Sequence, residues 1–195
     1  MRSYGGVTLL ATLLVASCGE RVADPEVRSV ATVHDNGVVR SATGGGKSFV
    51  TAPPAAIGVA EFSFSAVQNS DGTASGRFRM VRYRAGFLVD FSGEVTCMAV
   101  DAVNNRAWIG GVVVANRSND PNHTLDIHEP GDDVWFRVVD HGEGAGAPPD
   151  RSSVYGFKGA AGIDTSSQYC AAQLWPAGDA NVFELTEGNI QVRSR

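Results

Sequence analysis

Residues 87–101, FLVDFSGEVTCMAVD, carry the clearest indication of the fold. Apolar side chains occupy every second position along most of this stretch, and polar side chains fill the positions between. The apolar set is Phe87, Val89, Phe91, Val95, Cys97 and Ala99, against Asp90, Ser92, Glu94 and Thr96. Because successive side chains of a β-strand point to opposite faces, this period of two predicts a strand with one buried and one solvated face.

The same period recurs along the chain on both sides of this stretch. Residues 108–114 are apolar at odd and even positions alike, which predicts a strand covered on both sides. No stretch longer than a turn combines helical spacing with caps. The alternating apolar positions elsewhere are Phe62, Phe64 and Ala66; Phe78 and Met80; Val134, Phe136 and Val138; and Ile190 and Val192.

The segments between these runs have the residues of tight turns. Asp71-Gly72 and Asn104-Asn105 tolerate the positive φ that hairpins require, Gly86 predicts a turn, and Gly93 predicts a bulge. About eight to ten short strands with short connections predict one all-β antiparallel meander over residues 44–195. A small β-barrel or a two-layer sandwich would each hide the strand edges, and the barrel is favoured.

Composition and charge narrow the functional classes. A chain of 195 residues with 43% apolar residues suits one domain with a sizeable core. The net charge of -5 leaves no basic field, so no nucleic acid partner is expected.

Residues 44–48, GGGKS, end like a phosphate-binding loop, but Ser41 stands where that motif needs Gly, and strand-like residues follow. We therefore predict no cofactor.

The N-terminus has the features of an export signal. Arg2 supplies the positive charge, and the apolar stretch Val7–Ala16 is shorter than the roughly 20 residues that a membrane-spanning helix needs. Residues 1–17 are therefore predicted to be a signal peptide. Residues 18–43 are polar without sustained periodicity, and we expect them to be a flexible tether.

Val15-Ala16-Ser17-Cys18 resembles the lipobox of bacterial lipoproteins. The resemblance implies that the Cys18 thiol carries a diacylglyceryl group, that the signal is cut before Cys18, and that the new amine is acylated. The acyl chains would anchor the protein to membrane lipid. Gly19 implies the outer membrane if the cell has one. The alternative is an ordinary secretory signal that happens to contain a cysteine.

Export has a consequence for the two remaining cysteines. In an oxidising compartment Cys97 and Cys170 are the one intrachain pair that can form a disulfide. Two buried free thiols are the alternative. Catalytic use is not expected, because neither cysteine lies in a CxxC motif.

Two acidic loops contain candidate metal ligands. Zinc accepts imidazole and carboxylate ligands, and three of them with an open position could activate water. Acidic residues among glycines could supply oxygen ligands to Ca²⁺. The alternative is a solvated loop at 116–133 and a rigid connection at 140–150 in which Asp150 binds backbone amides. The candidates are His123, His128, His141, Asp140, Glu143 and Asp150.

Three further sets of side chains could bind a ligand, although core packing and cross-strand pairing are the alternatives. The tryptophans and two tyrosines could line a sugar or apolar site: Trp108, Trp135, Trp175, Tyr83 and Tyr155. The arginines could contact anionic groups or pair with Asp90 or Glu94: Arg77, Arg79, Arg82 and Arg84. Four phenylalanines could line an apolar pocket inside a barrel: Phe62, Phe64, Phe78 and Phe91.

Residues 44–193 as a whole resemble a widespread group of exported bacterial β-proteins. The resemblance is carried by residues 60–79, 93–113, 136–150 and 188–192. It implies a single β-domain and pairing of the two cysteines, and it assigns no catalytic residues.

The sequence predicts a membrane-tethered exported lipoprotein with a non-catalytic binding or structural domain. The protein or small-molecule partner is not identified. The alternatives are a lipocalin-like carrier of a small apolar ligand and a metal-dependent hydrolase using His123, His128 and His141.

Overall fold

The structure is a computed structural model that describes residues 37–52, 56–121, 127–175, 177 and 181–194. The predicted signal peptide, Cys18 and residues 19–36 lie outside the described residues, and so does His123.

The described residues form a closed antiparallel β-barrel of eight strands, which confirms the all-β barrel prediction. Each strand pairs with the next along the chain, and the last pairs with the first, so the topology is an up-and-down meander. The strands are β1 (Val38–Ala52), β2 (Ala56–Asn69), β3 (Ala74–Arg84), β4 (Phe87–Asp101), β5 (Arg106–Asn116), β6 (Asp133–Val139), β7 (Arg151–Ser153), β8 (Gly156–Phe157) and β9 (Val182–Ser194). The two-residue strand β8 is the ninth, and it continues the line of β7 along β6.

The first strand starts earlier than its side chains indicate. β1 begins at Val38, before the predicted domain boundary near Gly44, because its ladder to β2 extends back to the pair Val38 and Asn69. This part of β1 has little apolar alternation, so the backbone pairing leaves no trace in the sequence pattern.

The alternating apolar side chains of β2, β3 and β6 point into the barrel, as predicted. They form one buried cluster with residues of β4, β5 and β9. The predicted turn residues are also confirmed, since Gly72 has a φ of 86° and Asn105 a φ of 49°.

The prediction that every second side chain along the whole of β4 faces the same side of the sheet is wrong beyond Val95. The pairing of β4 with β5 shifts register between Ser92 and Gly93, as the glycine predicted, and again between Val95 and Cys97. The second bulge reverses the faces, so Met98 joins the barrel core while Cys97 and Ala99 face the outside.

β5 is covered on both sides, as predicted. Ile109 lies in the barrel core and Trp108 in a second cluster on the outside. The cover is a short helix, α1 (Ser166–Ala172), which the sequence analysis missed. Its signal was the capping box of Thr165 and Gln168, in which each side chain accepts a hydrogen bond from the other residue's backbone N–H.

A disulfide between Cys97 and Cys170 joins α1 to β4, with the sulfurs 2.08 Å apart, which confirms the predicted pair. The bond lies close to β5 at Gly110, where a Cβ atom would come within 2.7 Å of both the Cys97 Sγ and the Ser166 Cβ. A glycine is therefore required at this point for the helix to pack on the sheet.

The barrel closes between β7 and β9 through very few backbone pairs. β7 has three residues and pairs with β9 over Val182–Glu184. Beyond that point β9 has no β7 residue to pair with, and two aspartate side chains take the place of a strand partner. We call these two residues, Asp140 and Asp150, the carboxylate seam. Such charge-assisted bonds are stronger than neutral ones.

Both aspartates of the carboxylate seam bridge β9 to the β6–β7 connection. Asp150 accepts hydrogen bonds from the backbone N–H of Ile190 at 2.6 Å and of His141 at 2.8 Å. Asp140 accepts from the N–H of Val192 at 2.9 Å and of Gly142 at 2.7 Å. The seam therefore satisfies amides of β9 that have no strand partner on that side.

No helix within the described part of the chain has the length and apolar character needed to cross a membrane.

Replacing both Cys97 and Cys170 with Ser should lower the free energy of unfolding by about 4 kcal/mol, because the bond closes a loop with a sequence separation of 73. Urea unfolding followed by tryptophan fluorescence measures the change. The matched control is Cys18→Ser, which should leave the unfolding midpoint in place. An unchanged midpoint in the double variant would contradict the proposed stabilisation.

Asp150→Ala should lower the free energy of unfolding by about 3 kcal/mol, because it leaves the amides of Ile190 and His141 without acceptors. Asp150→Asn keeps one acceptor oxygen and should cost about half as much. Urea unfolding gives the energies, and hydrogen exchange should show lost protection at Ile190. The control is Glu143→Gln at an exposed position, and equal effects of Glu143→Gln and Asp150→Ala would refute the argument.

Candidate functional site

A half-open cavity of about 480 Å³ lies on the outside of the barrel, between β6, β8 and α1. We call it the aromatic groove. Its lining is mainly apolar, with few polar side chains. The lining residues are Trp135, Arg137, Ser153, Val154, Gly156, Ala160, Ala161, Ile163, Tyr169, Leu174, Trp175 and Asn181.

The first wall of the groove is the outer face of β5 and β6. Ile109 and Phe136 point into the barrel, so the residues before and after them point outward. Trp108 pairs in register with Arg137. Arg106 and Trp135 occupy the next outward positions on their strands, so this face presents two indoles and two guanidinium groups.

The second wall is α1 and the segment that follows it. Tyr169 stacks on Trp135 with ring centroids 5.6 Å apart. The Trp108 Nε1–H donates a hydrogen bond to the Leu174 carbonyl at 2.8 Å. Trp175 contacts Trp108 edge to face at 5.9 Å. These contacts fix the helix and the following segment against the sheet.

Two guanidinium groups lie close to the Trp175 ring. The Arg106 Cζ lies 4.2 Å from the centroid of the Trp175 ring, and the Arg137 Cζ lies 5.6 Å from it. Both distances fit cation–π contacts. Asp101 is opposite Arg106 across the β4–β5 turn, and hydrogen bonds from Asn104 and the Val103 N–H, together with the charge of Arg106, lower the pKa of its carboxyl group.

Trp135 packs tightly against β8. The residue is only 4% exposed, and its indole Nε1 lies against Gly156, where a Cβ would approach Nε1 to 2.2 Å. A glycine is needed here for the indole to reach this position, and nothing in the sequence pattern indicated it.

The structure brings together three of the five aromatic residues predicted to line a site. Trp135 and Trp175 line the groove, and Trp108 packs beside them in the same outer cluster. Tyr83 is 65% exposed on β3, and Tyr155 lies in the barrel core. Burial raises the pKa of the Tyr155 phenol far above its ordinary value, so it stays neutral.

The four phenylalanines predicted to line an interior pocket are buried in the barrel core. Phe62 and Phe64 have ring centroids 6.3 Å apart, and Phe78 and Phe91 have theirs 6.5 Å apart. Phe64 also contacts the ring of Phe136 edge to face at 5.2 Å. These contacts give the rings a packing role in the core.

The predicted metal-binding histidines lie far apart where they are described. His128 precedes β6 and stacks on Phe91 at 4.0 Å. His141 follows β6, and its Nδ1 contacts the Pro149 carbonyl at 2.5 Å. The seven-residue strand between them is roughly 20 Å long. Within the described ranges, no group of three His, Cys, Asp or Glu side chains could hold a metal ion.

The three acids predicted as Ca²⁺ ligands accept hydrogen bonds within the protein. Asp140 and Asp150 form the carboxylate seam. Glu143 accepts from the side-chain amides of Gln191 and Asn189, each at 2.9 Å, and these bonds lower the pKa of Glu143. This arrangement matches the rigid-connection alternative.

Two of the four predicted arginines of β3, Arg79 and Arg84, pair with carboxylates. Arg79 makes a two-pronged contact with Asp90 at 3.0 and 2.9 Å, which agrees with the cross-strand alternative. Arg84 pairs with Asp120 at 2.8 Å, and Asp120 is only 1% exposed. Burial and the neighbouring Arg84 lower the pKa of Arg82.

Comparison with protein-family models, curated proteins and solved structures found no match to this chain. The candidate site is therefore argued from its geometry alone, which is that of a groove lined mainly by aromatic and other apolar side chains.

Proposed function

We propose that this is an exported, lipid-anchored protein of the cell envelope whose β-barrel is a non-catalytic binding domain, with the aromatic groove as its ligand site. The observation that carries the proposal is the groove itself, with its volume of about 480 Å³. Ligand sites commonly have volumes of about 300–1,000 Å³ and apolar linings with a few placed polar groups.

The chemistry of the lining supports binding over catalysis. General acid–base and nucleophilic catalysis need titratable or activated side chains. The described lining residues include no His, Cys, Asp or Glu. Ser153 accepts a hydrogen bond from the Arg137 N–H, and its hydroxyl donates to the Val154 carbonyl, so its hydrogen bonds are made with the backbone.

The disulfide between Cys97 and Cys170 supports export, because such bonds persist mainly in oxidising compartments. The leader at 1–17 and the Cys18 motif point independently in the same direction. Two acyl groups or more at Cys18 would hold the barrel stably at a membrane surface.

The lipocalin-like carrier differs from this proposal in the position of its ligand. A carrier would hold an apolar molecule inside the barrel, among Phe62, Phe64, Phe78 and Phe91. The aromatic groove lies outside the barrel, beneath α1. Substitutions in the groove therefore distinguish the two functions.

Cys18→Ala should release the protein from the membrane into the soluble fraction, because the acyl attachment point is lost. Cell fractionation followed by detection of the intact chain measures the distribution. The control is the double variant Cys97→Ala with Cys170→Ala, which removes the disulfide cysteines and keeps the anchor, so it should stay in the membrane fraction. Membrane fractionation that is the same with and without Cys18 would overturn the lipid-anchor proposal.

Trp175→Ala should weaken binding of the uncharged fluorescent probe N-phenylnaphthylamine by about tenfold or more, since it removes an aromatic wall of the groove. Probe emission titrated against protein gives the affinity. Tyr83→Ala removes an exposed ring elsewhere and should have no effect. Equal binding by wild type and Trp175→Ala would place the apolar site elsewhere, as the carrier function requires.

A further inference from the structure

We propose that one end of the barrel docks on an anionic lipid surface, through an exposed row of apolar side chains beside arginines that form no salt bridge. It is the end at which β1 and β3 end and β2 and β4 begin. The inference goes beyond the proposed function, because it uses neither the aromatic groove nor an acyl group at Cys18. We call the row of side chains the apolar band, and it comprises Phe49, Val59, Tyr83 and Leu88.

The apolar band crosses four neighbouring strands without a gap. Phe49 of β1 pairs in register with Val59 of β2, and Tyr83 of β3 pairs with Leu88 of β4. The β2–β3 ladder ends one step before Val59 and Tyr83, so these two residues lie side by side and join the two halves of the band.

The apolar band faces the outside of the barrel and is exposed. Phe49 follows Ser48 and Val59 precedes Ala60, and both of those neighbours are buried, so the alternation of side chains turns the band outward. Phe49 and Val59 are each 48% exposed, and Tyr83 is 65% exposed. Single exposed apolar residues are ordinary, but a contiguous row of them is typical of an interaction surface.

A row of charged side chains borders the apolar band on the side away from the barrel end. Lys47 forms salt bridges with Glu187 at 2.9 Å and with Glu61 at 3.8 Å, and Arg79 pairs with Asp90 at 2.9 Å. These charges are therefore paired within the protein. The band between them and the barrel end is shallow, which suits the boundary between headgroups and acyl chains of a bilayer, where aromatic side chains are favoured.

Two guanidinium groups near the band form no salt bridge within the described residues. Arg82 is half-buried and its buried Nε has no hydrogen-bond partner there, while the nearby Asp120 is bound by Arg84 at 2.8 Å. Burial and Arg84 lower the pKa of Arg82, and the charge of Asp120 offsets them only in part. Arg117 is exposed, and its backbone N–H holds it beside β4 by donating to the Asp90 carbonyl at 2.7 Å.

Charge complementarity favours anionic lipid as the occupant. Guanidinium groups are donors only, and the phosphate oxygens of lipid headgroups are acceptors that bind them strongly. Residues 19–37 have a contour length of at most about 65 Å, which exceeds the roughly 37 Å from Val38 to Phe49 along β1. An anchor at Cys18 would therefore permit this end of the barrel to reach the same membrane.

The test measures binding of the full-length Cys18→Ala protein to lipid vesicles by co-sedimentation. This background removes the acyl attachment point, so the vesicles report on the rest of the chain. One set of vesicles is phosphatidylcholine alone, and the other contains about 30% phosphatidylglycerol. We expect about tenfold tighter binding to the anionic vesicles, and we expect high salt to reduce the difference.

Variants of the apolar band test its part in binding. Phe49→Ser and Tyr83→Ser, each made in the Cys18→Ala background, should weaken binding to both kinds of vesicle several-fold, because apolar area buried at the interface is lost. Val103→Ser is the matched control. Val103 is 91% exposed in the β4–β5 turn at the opposite end of the barrel, so its replacement should leave binding unchanged.

Variants of the arginines test the charge. Arg82→Gln and Arg117→Gln should each reduce binding to the anionic vesicles about fivefold and leave binding to phosphatidylcholine nearly unchanged. Arg77→Gln removes the same charge at an exposed position nearer the other end of β3, and it should change neither. Urea unfolding checks that each variant is folded, and the exposed Arg117 keeps the test decisive if Arg82→Gln is not.

Three outcomes would overturn the proposal. The first is an equal loss of binding in Val103→Ser and Phe49→Ser, and the second is an anionic preference that survives both Arg82→Gln and Arg117→Gln. The third is a dimer in solution that Phe49→Ser dissociates, since the apolar band would then be an interface between two copies of this chain. The proposed function is tested separately by Trp175→Ala, so either can fail without the other.

Discussion

The covalent bond between Cys97 and Cys170 is the constraint on which the outer half of this structure depends. α1 is two turns long, and helices of that length are not stable by themselves in water. The bond and the capping box hold it against β4 and β5, and Tyr169 then stacks on Trp135. Without the helix the outer indoles of the barrel would be exposed on a plain sheet face. The groove therefore depends on the disulfide as well as on the folding of the barrel.

The barrel has its own weak point where β7 meets β9. A closed sheet has no edges, but here β7 is too short to cover β9, and Asp140 and Asp150 accept the remaining amides. The same acids had been candidate metal ligands in the sequence. As metal ligands, these carboxylate oxygens would have bound a cation. In the structure the same oxygens accept hydrogen bonds from backbone N–H groups.

Much of the fold could be predicted from period-two patterning, because burial of one sheet face dictates alternation in strands such as β2 and β6. The candidate site could be predicted only in part. The sequence identified Trp108, Trp135 and Trp175 as a group, but it could not place them, since nothing local shows that α1 folds back over β5. It also gave no reason to single out Gly156, whose importance arises from an indole that is distant in sequence.

The bulge in β4 affects more of the protein than the few residues that it displaces. Val95 pairs with Gly111 and Cys97 with Gly110, so Thr96 is one residue more than the neighbouring strand can match. Without that surplus residue, strict alternation would keep Cys97 on the same side as Val95, enclosed in hydrocarbon and inaccessible to any oxidant. The one extra residue in β4 thus decides on which face of the sheet the Cys97 sulfur lies. Formation of the disulfide depends on that placement.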